Sequence, residues 1–192
     1  AQRGILTPLA VNTVDENDNP SGTLYFAHVN LGSENETNPC SMYGYMYQWG
    51  RKTDGHQIRT SSTVQGPALD TELDSNGQIT PSTTTLFGKY VTLSSSEWIM
   101  DWRRTASITL WGDGTNNYNQ PKAINDPCPA GWKVPSTAQW QSIYKGSGSG
   151  ENTDATANTW QWKTTSSRQN GYLVNDIFYL PTEGYRQTTG SI

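Results

Sequence analysis

The clearest pattern of bulky and thin positions lies at residues 43–49. Tyr43, Tyr45, Tyr47 and Trp49 take one side, and Gly44, Met46 and Gln48 take the other. A period of two marks an extended strand, so this segment is predicted to be a strand with one bulky face. The aromatic and β-branched run Leu24–Asn30 predicts a second strand. Residues 159–163, with Trp160 and Trp162 on one face, and residues 177–180 predict two more. The apolar stretch 4–11 reads as a strand that keeps Pro8 at an edge or bulge. The polar run 15–22 after it reads as a loop.

A helical period appears at 136–145. Ser136 with Gln139 three positions later forms a capping box, Trp140, Ile143 and Tyr144 share a face, and Gly146 supplies the stop. Trp98 and Trp102, four apart behind Ser95 and Ser96, predict a short helix over 95–104. Residues 53–85 form a long polar excursion with short strands, and 146–158 a flexible Gly/Ser loop. In domain terms, residues 1–23 read as an N-terminal arm and 24–192 as the domain proper.

Composition sharpens this picture. Thr, Ser, Asn and Gln make up 69 of the 192 residues, while charged residues are only 16%. A chain that polar could be disordered, but 8 Trp and 10 Tyr argue for a folded one. The polar, Trp/Tyr-rich composition is of the secreted type, which gives an extracellular expectation. The net charge of −4 argues against a nucleic-acid partner, which needs a basic surface. No apolar run approaches the length of a membrane span.

Candidate chemistry is sparse. The sequence holds no metalloprotease, nucleophile-elbow or phosphate-loop motif. Of its two histidines, His28 reads as a packed strand residue and His56 as a turn residue, so no catalytic residue is assigned and the chain is read as non-enzymatic. For calcium, Asp113, Asn116 and Asn117 offer oxygens on a glycine-rich turn, but a single carboxylate is few for that cation, and an Asx-rich turn is the favoured reading. No metal site is assigned. For a sugar, aromatic faces beside amides are the chemistry required. Trp111 and Tyr118 beside Asn116 and Asn117, and Trp160 and Trp162 beside Gln161, are the candidates. In a secreted protein Cys40 and Cys128 pair by default, closing a loop of about 88 residues worth roughly 4 kcal/mol. Two separate thiols are the alternative.

Three blocks carry a family resemblance. The segment Asn125–Trp140 (NDPCPAGWKVPSTAQW) resembles the central motif of the Fibrobacter succinogenes major paralogous domain family, common in Bacteroidetes surface proteins. Tyr43–Arg51 resembles that family's early strand, and Ile177–Arg186 its leucine-proline, glycine-tyrosine-arginine block. The resemblance covers about residues 24–186, and it implies that Trp49, Trp132 and Trp140, which lie in its blocks, are core. It implies an α+β, C-type-lectin-like fold: mainly antiparallel sheets, a few short helices and long loops. It also implies a surface or pilus-associated adhesin whose partner is a glycan or a host or bacterial surface protein. Family members run on through further strands past the last block, so the fold is expected to lack its C-terminal closing strands. The cysteine partner of Cys128 could lie in that missing part. A second expectation follows, that of a structural filament subunit completed by strand complementation through its arm and an open sheet edge, by self-assembly or by another polypeptide.

Overall fold

The computed structural model describes residues 6–17, 19–35, 42–81, 85–94, 101–115, 117–144, 158–165, 169–182 and 184–192. In chain order these form β1 (Pro8–Val14), β2 (Pro20–Ala27), β3 (Thr63–Gln65), β4 (Tyr90–Thr92), α1 (Thr137–Ile143), β5 (Trp160–Thr165), β6 (Gln169–Val174) and β7 (Phe178–Pro181). The architecture is a sheet-rich α+β mixture. Antiparallel pairing dominates, and α1 is the one α-helix among the described residues. The chain divides into two compact units. The first takes Ala1–Gly44, Asn116–Tyr118 and Pro135–Glu183; the second takes Tyr45–Thr115, Asn119–Val134 and Gly184–Ile192.

In the first unit, β1 and β2 form an antiparallel hairpin from Pro8↔Ala27 to Thr13↔Gly22, with a register slip at Thr13/Val14. Residues 8–14, within the stretch read as an arm, thus lie in a sheet. The turn is tightened by Asp15, whose Oδ1 accepts from the backbone N–H groups of Asn17 and Asn19, both at 2.9 Å. The loop is therefore shorter than the predicted 15–22, and β2 begins at Pro20. β5, β6 and β7 form an antiparallel meander. β5 and β7 lie where the sequence placed strands, and β6 was not predicted. Its connection to β7 runs through Asn175 and Asp176, with φ of 52° and 58°. Two consecutive left-handed residues of this type make a hairpin turn whose twist suits the strands.

Pairing places Trp160 opposite Val174 and Val174 opposite Phe178, so these three side chains share one face. Val11, Phe26, Ile143, Val174 and Phe178 make the core of this unit, with Leu9, Leu24, Trp140, Trp160 and Leu180 around it. The helix starts as its capping box predicts. Ser136 Oγ accepts from Gln139 N–H at 3.2 Å, and Gln139 Oε1 accepts from Ser136 N–H at 3.0 Å. It ends at Ile143 rather than 145, with Tyr144 as its C-cap. Ser136→Ala is expected to cost about 1 kcal/mol in urea unfolding, because the Gln139 N–H loses its acceptor.

Asn158 is the unit's polar joint. Its side-chain amide accepts from Asn12 N–H (3.1 Å) and donates to Asn12 C=O (2.8 Å), so it sits on the β1 edge as a neighbouring strand would. It also donates to Ile143 C=O (3.0 Å) and accepts from the Asn175 amide (2.6 Å), tying the sheet edge to α1 and the β6–β7 turn.

In the second unit, β3 and β4 run parallel, Thr63 to Gln65 opposite Tyr90 to Thr92. Ala68, Ile79, Leu86, Val91, Trp102 and Leu110 form the core. The strand predicted at 43–49 does not form: residues 44–48 carry no regular structure, and Tyr43 and Trp49 lie in turns. Gln48 is the reason. Its side-chain amide donates to Val91 C=O (2.8 Å) and accepts from Val91 N–H (2.9 Å), occupying the edge of β4 that the backbone of a strand at 43–49 would need. The thin face, Met46 and Gln48, turns inward, and the bulky face turns outward. Gly50 ends the segment at φ 84°, where a Cβ would meet Leu110 Cδ1 at 2.5 Å. The predicted helix at 95–104 falls largely outside the described residues. Trp102 itself lies in a bend, 3% exposed. The predicted loop at 146–158 also lies outside them, apart from Asn158.

Candidate functional site

A buried polar knot underlies the site. Arg51 is 1% exposed and His56 fully buried, although neither residue type is usually found inside. Asp54 joins them. It pairs with Arg51 Nη2 through one oxygen and accepts from His56 Nδ1 through the other at 2.6 Å. His56 Nε2 accepts from Gln48 N–H at 3.0 Å, which fixes the neutral tautomer with the proton on Nδ1. Arg51 Nη1 donates to Gln48 Oε1 (2.7 Å) and Lys89 C=O (2.9 Å). Its guanidinium also lies 5.2 Å from the Trp102 ring centre. Both Asp54 oxygens, both His56 ring nitrogens and both Arg51 Nη groups therefore have partners, the condition under which buried charge is tolerated.

The ionisation states follow. Burial opposes the charge on Asp54, but the His56 hydrogen bond and the Arg51 charge outweigh it and bring the carboxyl down to about 2. Burial lowers His56 below its ordinary value and keeps it neutral, against the pull of Asp54. Both shifts mean that the unfolded chain binds protons that the folded chain refuses, so stability falls as pH falls. The loss is expected to begin below about pH 6.5 through His56, and Asp54 adds roughly 2 kcal/mol between about pH 4 and 2. Urea midpoints measured from pH 7.5 to 3 check this, and a flat profile would contradict it.

On this knot rests an aromatic cleft of about 350 Å³, lined by Tyr47, Trp49, Tyr90, Trp102, Gln48, Val91, Leu93, Asp101 and Thr188. Three of its four rings have their polar atoms bonded within the protein. Tyr47 Oη bonds Thr53 Oγ1 (2.7 Å), Tyr90 Oη donates to Arg186 C=O (2.9 Å) and Trp102 Nε1 donates to Trp49 C=O (2.7 Å). The cleft thus presents ring and aliphatic surface, the Asp101 carboxylate and the Thr188 hydroxyl. Trp49 is 45% exposed. Trp111 continues the aromatic surface at 6.0 Å from Trp49 and 6.2 Å from Tyr47, with Nε1 donating to Arg51 C=O at 3.2 Å. The 184–192 segment brings Thr188 into place. Arg186 stacks on Tyr90 (4.3 Å) and donates to Ser61 Oγ and C=O (2.7 Å each), and Leu93 N–H donates to Thr188 C=O at 2.9 Å.

The sequence candidates scatter. Trp111 belongs to the aromatic surface. Asp113, also in the second unit, is exposed and spends Oδ1 on the Thr115 N–H (2.9 Å) and hydroxyl (2.6 Å). Those hydrogen bonds hold its carboxyl below the usual range. Asn117 and Tyr118 are exposed residues of the first unit, and Asn116 lies outside the described residues. Trp160 packs on the first unit's core, 6.0 Å from Tyr144 and 5.8 Å from Tyr172. Trp162 is 46% exposed and meets Tyr172 edge-on at 4.9 Å.

Cys128 is half-buried, and Cys40 lies outside the described residues, so their pairing stays a proposal. The block around Cys128 works as a staple. The buried Asp126 accepts from Lys122 Nζ (2.7 Å) and from the N–H groups of Cys128 and Val134 (2.8 Å each). Among the described residues no three His, Cys, Asp or Glu side chains cluster to hold a metal, and no helix is long and apolar enough to cross a membrane.

Sequence reasoning missed Tyr47, Trp49, Tyr90, Asp101, Trp102 and Thr188. The signal for the first two was the alternation at 43–49, which already put Tyr47 and Trp49 on one face. Trp49 reads as core from its motif, whereas the inward turn of Gln48 leaves it in solvent. No protein-family model, curated protein or solved structure matches the chain.

Proposed function

We propose that the chain is a non-enzymatic, C-type-lectin-like domain of the Fibrobacter succinogenes major paralogous type, displayed on the cell surface. In this reading it binds a glycan or a surface protein through the aromatic cleft of its second unit. The observation that carries it is the cleft itself: four aromatic residues, three of them with their ring polar atoms committed to bonds within the protein, beside one carboxylate and one hydroxyl. Such a concave, largely apolar surface with a few polar groups is the common form of a ligand site. The Asp54–His56 pair favours binding over catalysis, because His56 is sealed from solvent and both its ring nitrogens are engaged.

Glycan and surface-protein arrays, followed by titration calorimetry on any positive, test the reading. Trp49→Ala is expected to weaken the positive partner at least about tenfold and to leave the urea midpoint nearly unchanged. A partner bound equally by both proteins would exclude the cleft. A Cys40–Cys128 disulfide is part of the extracellular reading. Mass spectrometry of alkylated, unreduced protein checks it, and two alkylated thiols would remove it. The second reading, a structural subunit assembling by strand complementation, is favoured by the open outer edge of β2.

A further inference from the structure

The two edges of the β1–β2 hairpin are not alike. His28 N–H donates to Thr7 C=O at 3.0 Å, continuing the ladder beyond the strands. Alternation from that pair makes 9/26 and 11/24 the hydrogen-bonded pairs, so the residues between them turn their backbone groups outward. On β1 the outward residue Asn12 has both groups occupied by the Asn158 amide, while those of Ala10, the next outward residue, meet no partner among the described residues. On β2 the outward residues are Thr23, Tyr25 and Ala27, and their backbone groups meet no partner among the described residues.

Natural edge strands are guarded by charges, inward lysines, internal prolines, bulges or cover. β2 has a register slip at Ser21, but from Thr23 to Ala27 its pairing is regular and no residue is charged or proline, and Tyr25 is 65% exposed. The strand also complements itself. A two-fold axis through Leu24 sets Leu24 against its own copy. It sets Thr23 opposite the partner's Tyr25, and Tyr25 opposite the partner's Thr23. Thr23 and Tyr25 each carry an N–H and a C=O for the new ladder, and a β-branched residue facing an aromatic one is a favourable cross-strand pair. No like charges meet.

We infer that the outer edge of β2 is a docking surface for a second copy of this chain, joined antiparallel through β2 into a four-stranded β1–β2–β2–β1 sheet. Because the contact is isologous, it closes as a dimer and does not propagate. It is independent of the cleft and stands whether or not the cleft binds a ligand.

Sedimentation equilibrium of the full chain from micromolar to near-millimolar concentration tests this. A monomer–dimer equilibrium is expected, with amide exchange at Thr23, Tyr25 and Ala27 slowing as concentration rises while Leu24 is unchanged. The double variant Thr23→Lys/Tyr25→Lys places like charges across both cross-strand pairs and is expected to weaken the dimer about tenfold. Both positions are exposed, and near-ultraviolet circular dichroism confirms that the variant is folded. Mixing it with Thr23→Glu/Tyr25→Glu is expected to restore association as a heterodimer. A chain that stays monomeric throughout would overturn the inference, as would a dimer indifferent to the lysines. Open filaments that lengthen with concentration would overturn it too, in favour of strand complementation by the arm.

Discussion

Asp54→Ala is expected to destabilise the chain by about 3–5 kcal/mol. The side chain is small and its apolar contribution slight, so the effect is electrostatic. Its loss leaves the Arg51 guanidinium, 1% exposed, without the carboxylate that neutralises it, and takes away the acceptor for His56 Nδ1–H. A buried charge without its partner costs far more than the pair contributes as a whole. The double replacement Arg51→Met/Asp54→Leu is accordingly expected to be less damaging than Asp54→Ala alone. Urea unfolding of the three proteins decides it. A single-variant loss below about 1 kcal/mol would mean that water reaches Arg51.

Phe26→Ala is expected to cost about 3–5 kcal/mol by another route. Phe26 lies on β2, with its ring centre 5.1 Å from both Trp140 on α1 and Phe178 on β7. Truncation removes a side chain that packs against the helix and the meander together, and leaves a void between rings that cannot collapse without moving their backbones. Phe26→Leu refills most of that volume and is expected to cost less than about 1.5 kcal/mol. Equal losses from the two would show that ring stacking, not volume, holds this core.

These two residues show how unevenly the sequence discloses the structure. α1 was legible because its signals are local: a capping box needs only Ser136 and Gln139, and both do what the spacing predicts. β5 and β7 were legible from short aromatic runs. β6 was not, because Gln169, Asn170 and Gly171 dilute its apolar signal. What makes it a strand is pairing with Trp160–Thr165 on one side and Phe178–Pro181 on the other. At 43–49 the alternation put Met46 inside and Tyr45 and Trp49 outside, but no strand formed, because a side chain, Gln48, took the hydrogen bonds of β4. The candidate site was half-legible for the same reason. Local composition pointed to Trp111, but the cleft gathers Tyr47, Tyr90, Trp102 and Thr188 from segments far apart in sequence. The Arg51–Asp54–His56 knot was present as a spacing, yet nothing local says that a turn histidine will be fully buried.

Asn158 carries one more consequence, and it concerns time. It lies 146 positions after Asn12, whose edge it covers. At about 5–20 residues per second, a ribosome needs roughly 7 to 30 s to travel that distance. Throughout that interval an emerging β1–β2 hairpin shows water the Asn12 backbone groups that Asn158 later covers. The newborn chain therefore passes through a window of exposure to stray strands that the finished protein has narrowed at Asn12, and the speed of translation sets how long the window lasts.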